Sequence, residues 1–132
     1  MPETFSHKKE RKILLDKFFN LWYSVTINGG NMINGRYILN ERGNPVKEPD
    51  LMKWAKWFEK SERHVGDETI GKSRVSTVFL GLDHSFGDSP PVLWETMVFS
   101  GTLDGEQDCC GGSRNNAKKM HARMVKRVKK SI

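Results

Sequence analysis

Apolar residues recur every three to four positions in parts of this chain and every second position in others, and the alternation divides it into helices and strands. Between Ser6 and Tyr23, the residues Ile13, Leu14, Phe18, Leu21 and Trp22, with Val25 beyond, return to one side of a helical repeat and predict an amphipathic helix. Asn28, Gly29, Gly30, Asn31, Asn34 and Gly35 then break it with residues that tolerate positive φ. A short strand is expected at Arg36 to Leu39 and a turn at Glu41 to Asn44, with Pro45 and Val46 completing a small hairpin. Asp50 stands where an N-cap belongs. Leu51, Trp54, Ala55 and Phe58 behind it share a face, broadened by Met52 and Trp57, and predict a helix to about Lys60 that packs on a sheet.

The next segments change period. His64 to Ile70 and Ser73 to Leu82 read as two strands joined by Gly71-Lys72, whose leading glycine suits a type II′ turn. Val92 to Phe99, rich in β-branched and aromatic residues, predicts a third strand, and a glycine-containing loop leads to a last helix from about Ser113. On that helix Ala117, Met120, His121, Met124, Val125 and Val128 form one stripe. The expected architecture is a small α+β domain: a three-stranded antiparallel sheet packed by helices in the order helix, strand, strand, strand, helix, with an added N-terminal helix. Residues 1–35 are read as a helical extension and linker, and residues 36–132 as a compact core ending in a basic helix.

Composition supports one folded unit: 132 residues, 36% of them hydrophobic, with 7 Phe and 4 Trp, are enough to bury a core without staples. No apolar run approaches the roughly 18 residues of a membrane span, and MPETFSHKKERK has no hydrophobic signal segment behind it. The only cysteines, Cys109 and Cys110, are adjacent and close no loop. A cytoplasmic protein with no membrane association is expected. The formal net charge is +6, and its placement matters more than its size. From Cys109 to the end there is no acid, while Arg114, Lys118, Lys119, Arg123, Lys126, Arg127, Lys129 and Lys130 all fall there. Such a surplus favours nucleic acid or an acidic protein surface.

The stretch VSTVFLGLDHSFG followed by PPVLWETMVF is an unusual string, and with YILNERGNPVKEPDLMKWAKWFE before it and GTLDGE after it the chain resembles a family of short proteins of bacteriophages, prophages and bacterial genomes. The resemblance covers about Tyr37 to Val128. It implies phage or prophage origin and a compact protein in the host cell cytoplasm, and it brings no reaction, cofactor or catalytic residue with it. The N-terminal helix and the strongly basic last helix depart from the family pattern, which makes them candidates for a specific partner.

Asp83 and His84, with Asp88 in the loop that follows and Glu95 just inside the next strand, carry the groups for divalent-metal binding or acid/base chemistry. Turn formation by Asp83 and His84, stiffened by Pro90-Pro91, accounts for the same residues more simply, since no spacing here matches a metal motif. Asp104 and Glu106 extend the acidic set on one reading and form a turn on the other. Cys109 and Cys110 with His121 fall short of four zinc ligands. Phe86, in the same loop as His84 and Asp88, is a candidate anchor for a protein partner. No metal and no cofactor are expected, and the weak catalytic candidates are Asp83, His84 and Glu95.

The basic helix is the strongest cue. Arg114, Lys118, Lys119, Arg123, Lys126 and Arg127 would lie on the arc opposite the apolar stripe and suit phosphates or an acidic partner, whereas a plain solvated face is the simpler alternative. The order helix, three strands, helix invites comparison with double-stranded RNA-binding domains, but Gly71-Lys72 is too short to enter a minor groove. Three functions follow in order: an accessory binding protein that engages a host macromolecule such as a defence component, with inhibition one outcome of that engagement; a nucleic-acid-binding protein using the last helix, helped by Lys8, Lys9, Arg11 and Lys12; and a metal-dependent enzyme at Asp83, His84 and Glu95.

Overall fold

The computed structural model describes residues 35–85 and 88–132. The helix expected between Ser6 and Tyr23, with its lysines and arginine, and the loop residue Phe86 lie outside the described residues. In chain order the elements are β1 (Tyr37–Leu39), β2 (Pro45–Lys47), α1 (Leu51–Lys60), β3 (His64–Ile70), β4 (Ser73–Phe79), β5 (Trp94–Phe99), β6 (Gln107–Cys110) and α2 (Arg114–Lys130). They fall in one compact unit whose boundary with the preceding residues lies after Ile33.

The α+β class stands, but the main sheet has four strands in the order β3-β4-β5-β6, all antiparallel, instead of three. The added strand is β6, in the segment expected to be a glycine-containing loop before the last helix. Gln-Asp-Cys-Cys has no β-branched or aromatic residue to mark it, and it is a strand because Trp94 to Met97 offer it a ladder, with Trp94 opposite Cys110 and Met97 opposite Gln107. The β1-β2 hairpin forms a separate two-stranded sheet. Asn40 closes its turn, accepting from the amides of Arg42 and Asn44 at 2.9 and 3.0 Å.

The β3-β4 turn is the tight one expected. Gly71 has φ +59° and Lys72 is not among the residues of positive φ, the pattern of a type II′ turn. β4 stops at Phe79, earlier than the expected Leu82, because Gly81 turns at φ +75° and Leu82 bridges to Arg36 instead.

Asp50 caps α1, its carboxylate accepting from the amides of Met52 and Lys53 at 2.9 and 3.1 Å. Of the expected apolar face only Trp54 is buried, and its indole N–H donates to the carbonyls of Gly81 and Tyr37 at 2.9 and 3.2 Å. Leu51 and Met52 are exposed. The helix therefore rests by its second and third turns on β1 and the end of β4, where Trp57 meets Phe79 edge-on at 5.7 Å.

α2 crosses all four strands of the main sheet. The residues it buries are Ala117, Met120, His121, Met124, Val125 and Val128, the stripe expected from spacing alone. They meet Val75, Thr77 and Phe79 of β4 and Trp94, Thr96 and Val98 of β5, all buried. Burying a side chain of this size contributes about 1.5–3 kcal/mol over leaving it exposed, so this layer dominates the stability of the unit. Ser76, Val78, Glu95, Met97 and Phe99 on the alternate positions are buried as well, so both faces of β4 and β5 are covered.

Candidate functional site

α2 leaves the sheet with a polar outer arc. Lys118, Lys119, Arg123, Lys126, Lys129 and Lys130 are exposed and form no ion pair among the described residues. Positions 118, 119, 123, 126 and 130 advance by one, four, three and four residues and so stay on one side of the helix. At a rise of 1.5 Å per residue they extend over roughly 18 Å. The last turn adds Arg127, Lys129 and Lys130, where cations complement the negative end of the helix dipole.

Two of the residues expected on this arc differ from the rest. Arg127 is exposed but pairs with Glu106 at 3.5 Å and also donates to the Met124 sulfur at 3.7 Å. Arg114 is half-buried, its side chain lying against Gly43 in the β1-β2 turn. Four of the six candidate cations, Lys118, Lys119, Arg123 and Lys126, are thus unencumbered.

The helix start is held by a residue from far away in the chain. Ser113 occupies the N-cap position with φ −74° and ψ 165° but makes no side-chain cap bond. The Arg114 amide instead donates to the Asn44 Oδ1 at 3.1 Å.

In the loop after β4, Asp83 serves the backbone. Its Oδ1 accepts from the amides of Ser85 and Val92 at 2.8 and 2.9 Å. Burial pushes this carboxyl up, but the two amide bonds outweigh it and hold the pKa below the ordinary aspartate value. The His84 amide donates to the Val92 carbonyl at 3.0 Å, closing the loop at its base, and Asp88 is exposed. Glu95 is 6% exposed and sits on β5 opposite Val78. Among the described residues no group of three or more His, Cys, Asp or Glu side chains is placed to hold a metal ion. Asp83, His84 and Glu95 therefore do not gather into one.

Asp104 and Glu106 lie at the other end of β5. Asp104 accepts from the Ser100 amide at 2.7 Å, which holds Ser100 at φ +67° in the β5-β6 turn. Cys109 and Cys110, adjacent on β6, project to opposite faces of the sheet. Burial, followed by the charge of Asp108, raises the Cys110 thiol pKa, which disfavours the thiolate a metal requires.

The third residue of that cysteine set, His121, is engaged elsewhere. Its Nδ1 lies 2.7 Å from the Thr77 hydroxyl, which lies 2.6 Å from the Thr96 hydroxyl, while its Nε2 is 3.0 Å from Glu68 Oε1. Because a carboxylate only accepts, a neutral ring satisfies every bond in one direction: Thr96 donates to Thr77, Thr77 to Nδ1, and Nε2–H to Glu68. Hydroxyl, imidazole and carboxylate in line have the order of a nucleophilic triad, but Thr77 and Thr96 are 0% exposed, so no substrate reaches them. The arrangement ties helix to sheet. Nothing in the sequence joins these four residues, since Thr77 and His121 are 44 positions apart.

In comparison with known proteins, no family model, curated protein or solved structure matches the chain.

Proposed function

We propose that this chain is a small accessory binding module, of the phage type its sequence resembles, that engages nucleic acid through the outward face of α2. The observation that carries the reading is the row of exposed cations Lys118, Lys119, Arg123 and Lys126, unpaired among the described residues, on a helix without a single acid. A solvated face that only aids solubility mixes signs and pairs them along the helix. This one does neither. Phosphates are held by charge with little demand on sequence, so a rigid row spaced over several turns is sufficient for backbone contact.

The mode differs from that of a double-stranded RNA-binding domain. The β3-β4 connection is only Gly71-Lys72, and the sheet carries a fourth strand. An enzymatic reading draws no support from Asp83, whose Oδ1 is taken up by two loop amides.

The test is fluorescence anisotropy with labelled single-stranded and duplex oligonucleotides over a salt series, on the wild type and on a variant carrying Lys118→Gln, Lys119→Gln, Arg123→Gln and Lys126→Gln. The wild-type log affinity is expected to fall with log salt at a slope of about −3 to −4, as four neutralised phosphates imply, and the variant's slope to approach zero. Binding that ignores salt, or that survives the four substitutions, overturns the reading. Capture of a nuclease-resistant acidic protein by the same face, with no oligonucleotide affinity, would replace nucleic acid with a protein ligand.

A further inference from the structure

A cleft of about 880 Å³ opens where α2 begins, between the β1-β2 hairpin, the loop after β4 and the Gly111-Gly112 turn. Its volume is that of a small-molecule site, in the range of roughly 300–1,000 Å³. Its walls are mostly apolar, with Pro45, Pro90, Pro91 and Leu93 supplying rigid surface that loses little entropy on contact. The glycines let two backbones close the floor: a Cβ on Gly111 would come within 2.0 Å of the Pro91 carbonyl oxygen. The Trp94 indole N–H fixes the Gly112 carbonyl from beneath at 2.9 Å.

Two independent features put hydrogen-bond donors into this apolar cleft. The first is Tyr37, which lines it with a ring packed among Phe79, Leu93 and Trp94. The side chain is 8% exposed, yet its hydroxyl makes no hydrogen bond among the described residues. Among the described residues the one buried side-chain polar atom without a partner is the Arg36 Nε, so the Tyr37 hydroxyl is not sealed in the core, and its residue lines the cleft. The second is the start of α2, a 17-residue helix with no acid in its first turn. Asn44 serves the Arg114 amide, and the Ser113 hydroxyl, whose residue lines the cleft, makes no cap bond. These groups and the positive end of the helix dipole all call for an acceptor, and an anionic one best.

We propose that this cleft binds a carboxylate carried on an aromatic or aliphatic body, with the apolar part against the prolines and the carboxylate between the Tyr37 hydroxyl and the first turn of α2. Burial and the nearby Asp83 raise the Tyr37 pKa, so the phenol stays protonated and donates. The site lies at the start of α2, and its occupancy does not depend on the cationic face or on nucleic acid. Free small acids and the C-terminus of a peptide share this chemistry.

The test follows amide and indole NMR shifts of the full chain during titration with phenylacetate, phenylacetamide, and Gly-Gly-Phe with a free or an amidated C-terminus. Shifts are expected in Gly111 to Asn116 and at the Trp94 indole N–H, saturating with phenylacetate below about 10 mM. Affinity is expected to fall about tenfold in Tyr37→Phe, which removes only the hydroxyl and leaves the packed ring, and several-fold in Ser113→Ala. A stronger response to the free-acid peptide than to phenylacetate identifies chain termini as the source, and the reverse order identifies small acids. Absence of saturable shifts, equal binding of acid and neutral amide, or an unchanged affinity in Tyr37→Phe would overturn the assignment.

Discussion

His121 shows how one polar residue can sit on an otherwise apolar helix face at little cost. It is 6% exposed, and both ring nitrogens have partners, so burial leaves nothing unsatisfied. The close approach depends on a glycine in the facing strand: a Cβ on Gly66 would stand 2.6 Å from the His121 Nε2 and 2.7 Å from the neighbouring ring carbons. β3 shifts its register between His64 and Gly66, and the irregularity presents Gly66 opposite Thr77, beneath the imidazole. Gly66→Ala is therefore expected to destabilise by about 1–3 kcal/mol, since the ring has to move and lose a bond. His121→Ala removes the obstacle and takes one of the two partners of the Thr77 hydroxyl, so the double variant is expected to fall short of the sum of the single costs by at least about 0.5 kcal/mol. Urea unfolding of the four proteins measures the coupling, and strict additivity would show that Gly66 serves some other purpose.

At the scale of elements, α2 depends on the β1-β2 hairpin for its start. The Asn44 acceptor, 70 positions from the Arg114 amide it serves, does the work of a local N-cap. Asn44→Ala is expected to cost about 0.5–2 kcal/mol, the usual loss for a cap, while Asn44→Asp keeps the acceptor and adds charge that the helix dipole favours by about 0.3–1 kcal/mol. Equal melting temperatures for the two variants would show that the hairpin does not cap the helix. Such a contact is not legible in the sequence, because local spacing carries no information about partners 70 residues apart. The buried stripe of α2 was legible because a helix repeats its faces through spacing alone, and six residues from Ala117 to Val128 obey it. β6 was not, since an edge strand of four residues takes its form from the ladder it joins. α1 was half legible: Asp50 and Trp54 behave as their positions imply, but the sheet beneath does not extend under Leu51 and Met52. For the cationic face, composition located the charges. Only the fold could sort them, because Arg127 is claimed by Glu106 from a different turn and Arg114 by the space beside Gly43.

For the whole molecule, the buried stripe and the cationic face lie on opposite sides of the same helix. The buried face of α2 and the two central strands form one layer, with Thr77, Thr96 and His121 between an apolar cluster around Phe79, Trp94 and Met120 and another around Val75, Val98 and Met124. β4 and β5 are each paired on both edges and buried on both faces, whereas β3 and β6 are the edges and the β1-β2 hairpin stands apart. Opening free energy follows burial and pairing, so the cooperative unit that opens last has to contain β4, β5 and α2. Hydrogen exchange by NMR is expected to find the slowest amides at Val75 to Phe79, at Trp94 to Phe99 and along Met120 to Val128, with Glu41 to Gly43 and the first turn of α1 exchanging far faster. Neutralising Lys118, Lys119, Arg123 and Lys126 should leave that ranking unchanged, because none of the four contributes an ion pair or a buried side chain to the layer. Protection as high in the hairpin as in β4, or a collapse of protection in the neutralised variant, would show that the cationic face and the core are one structure and that loss of binding cannot be separated from loss of fold.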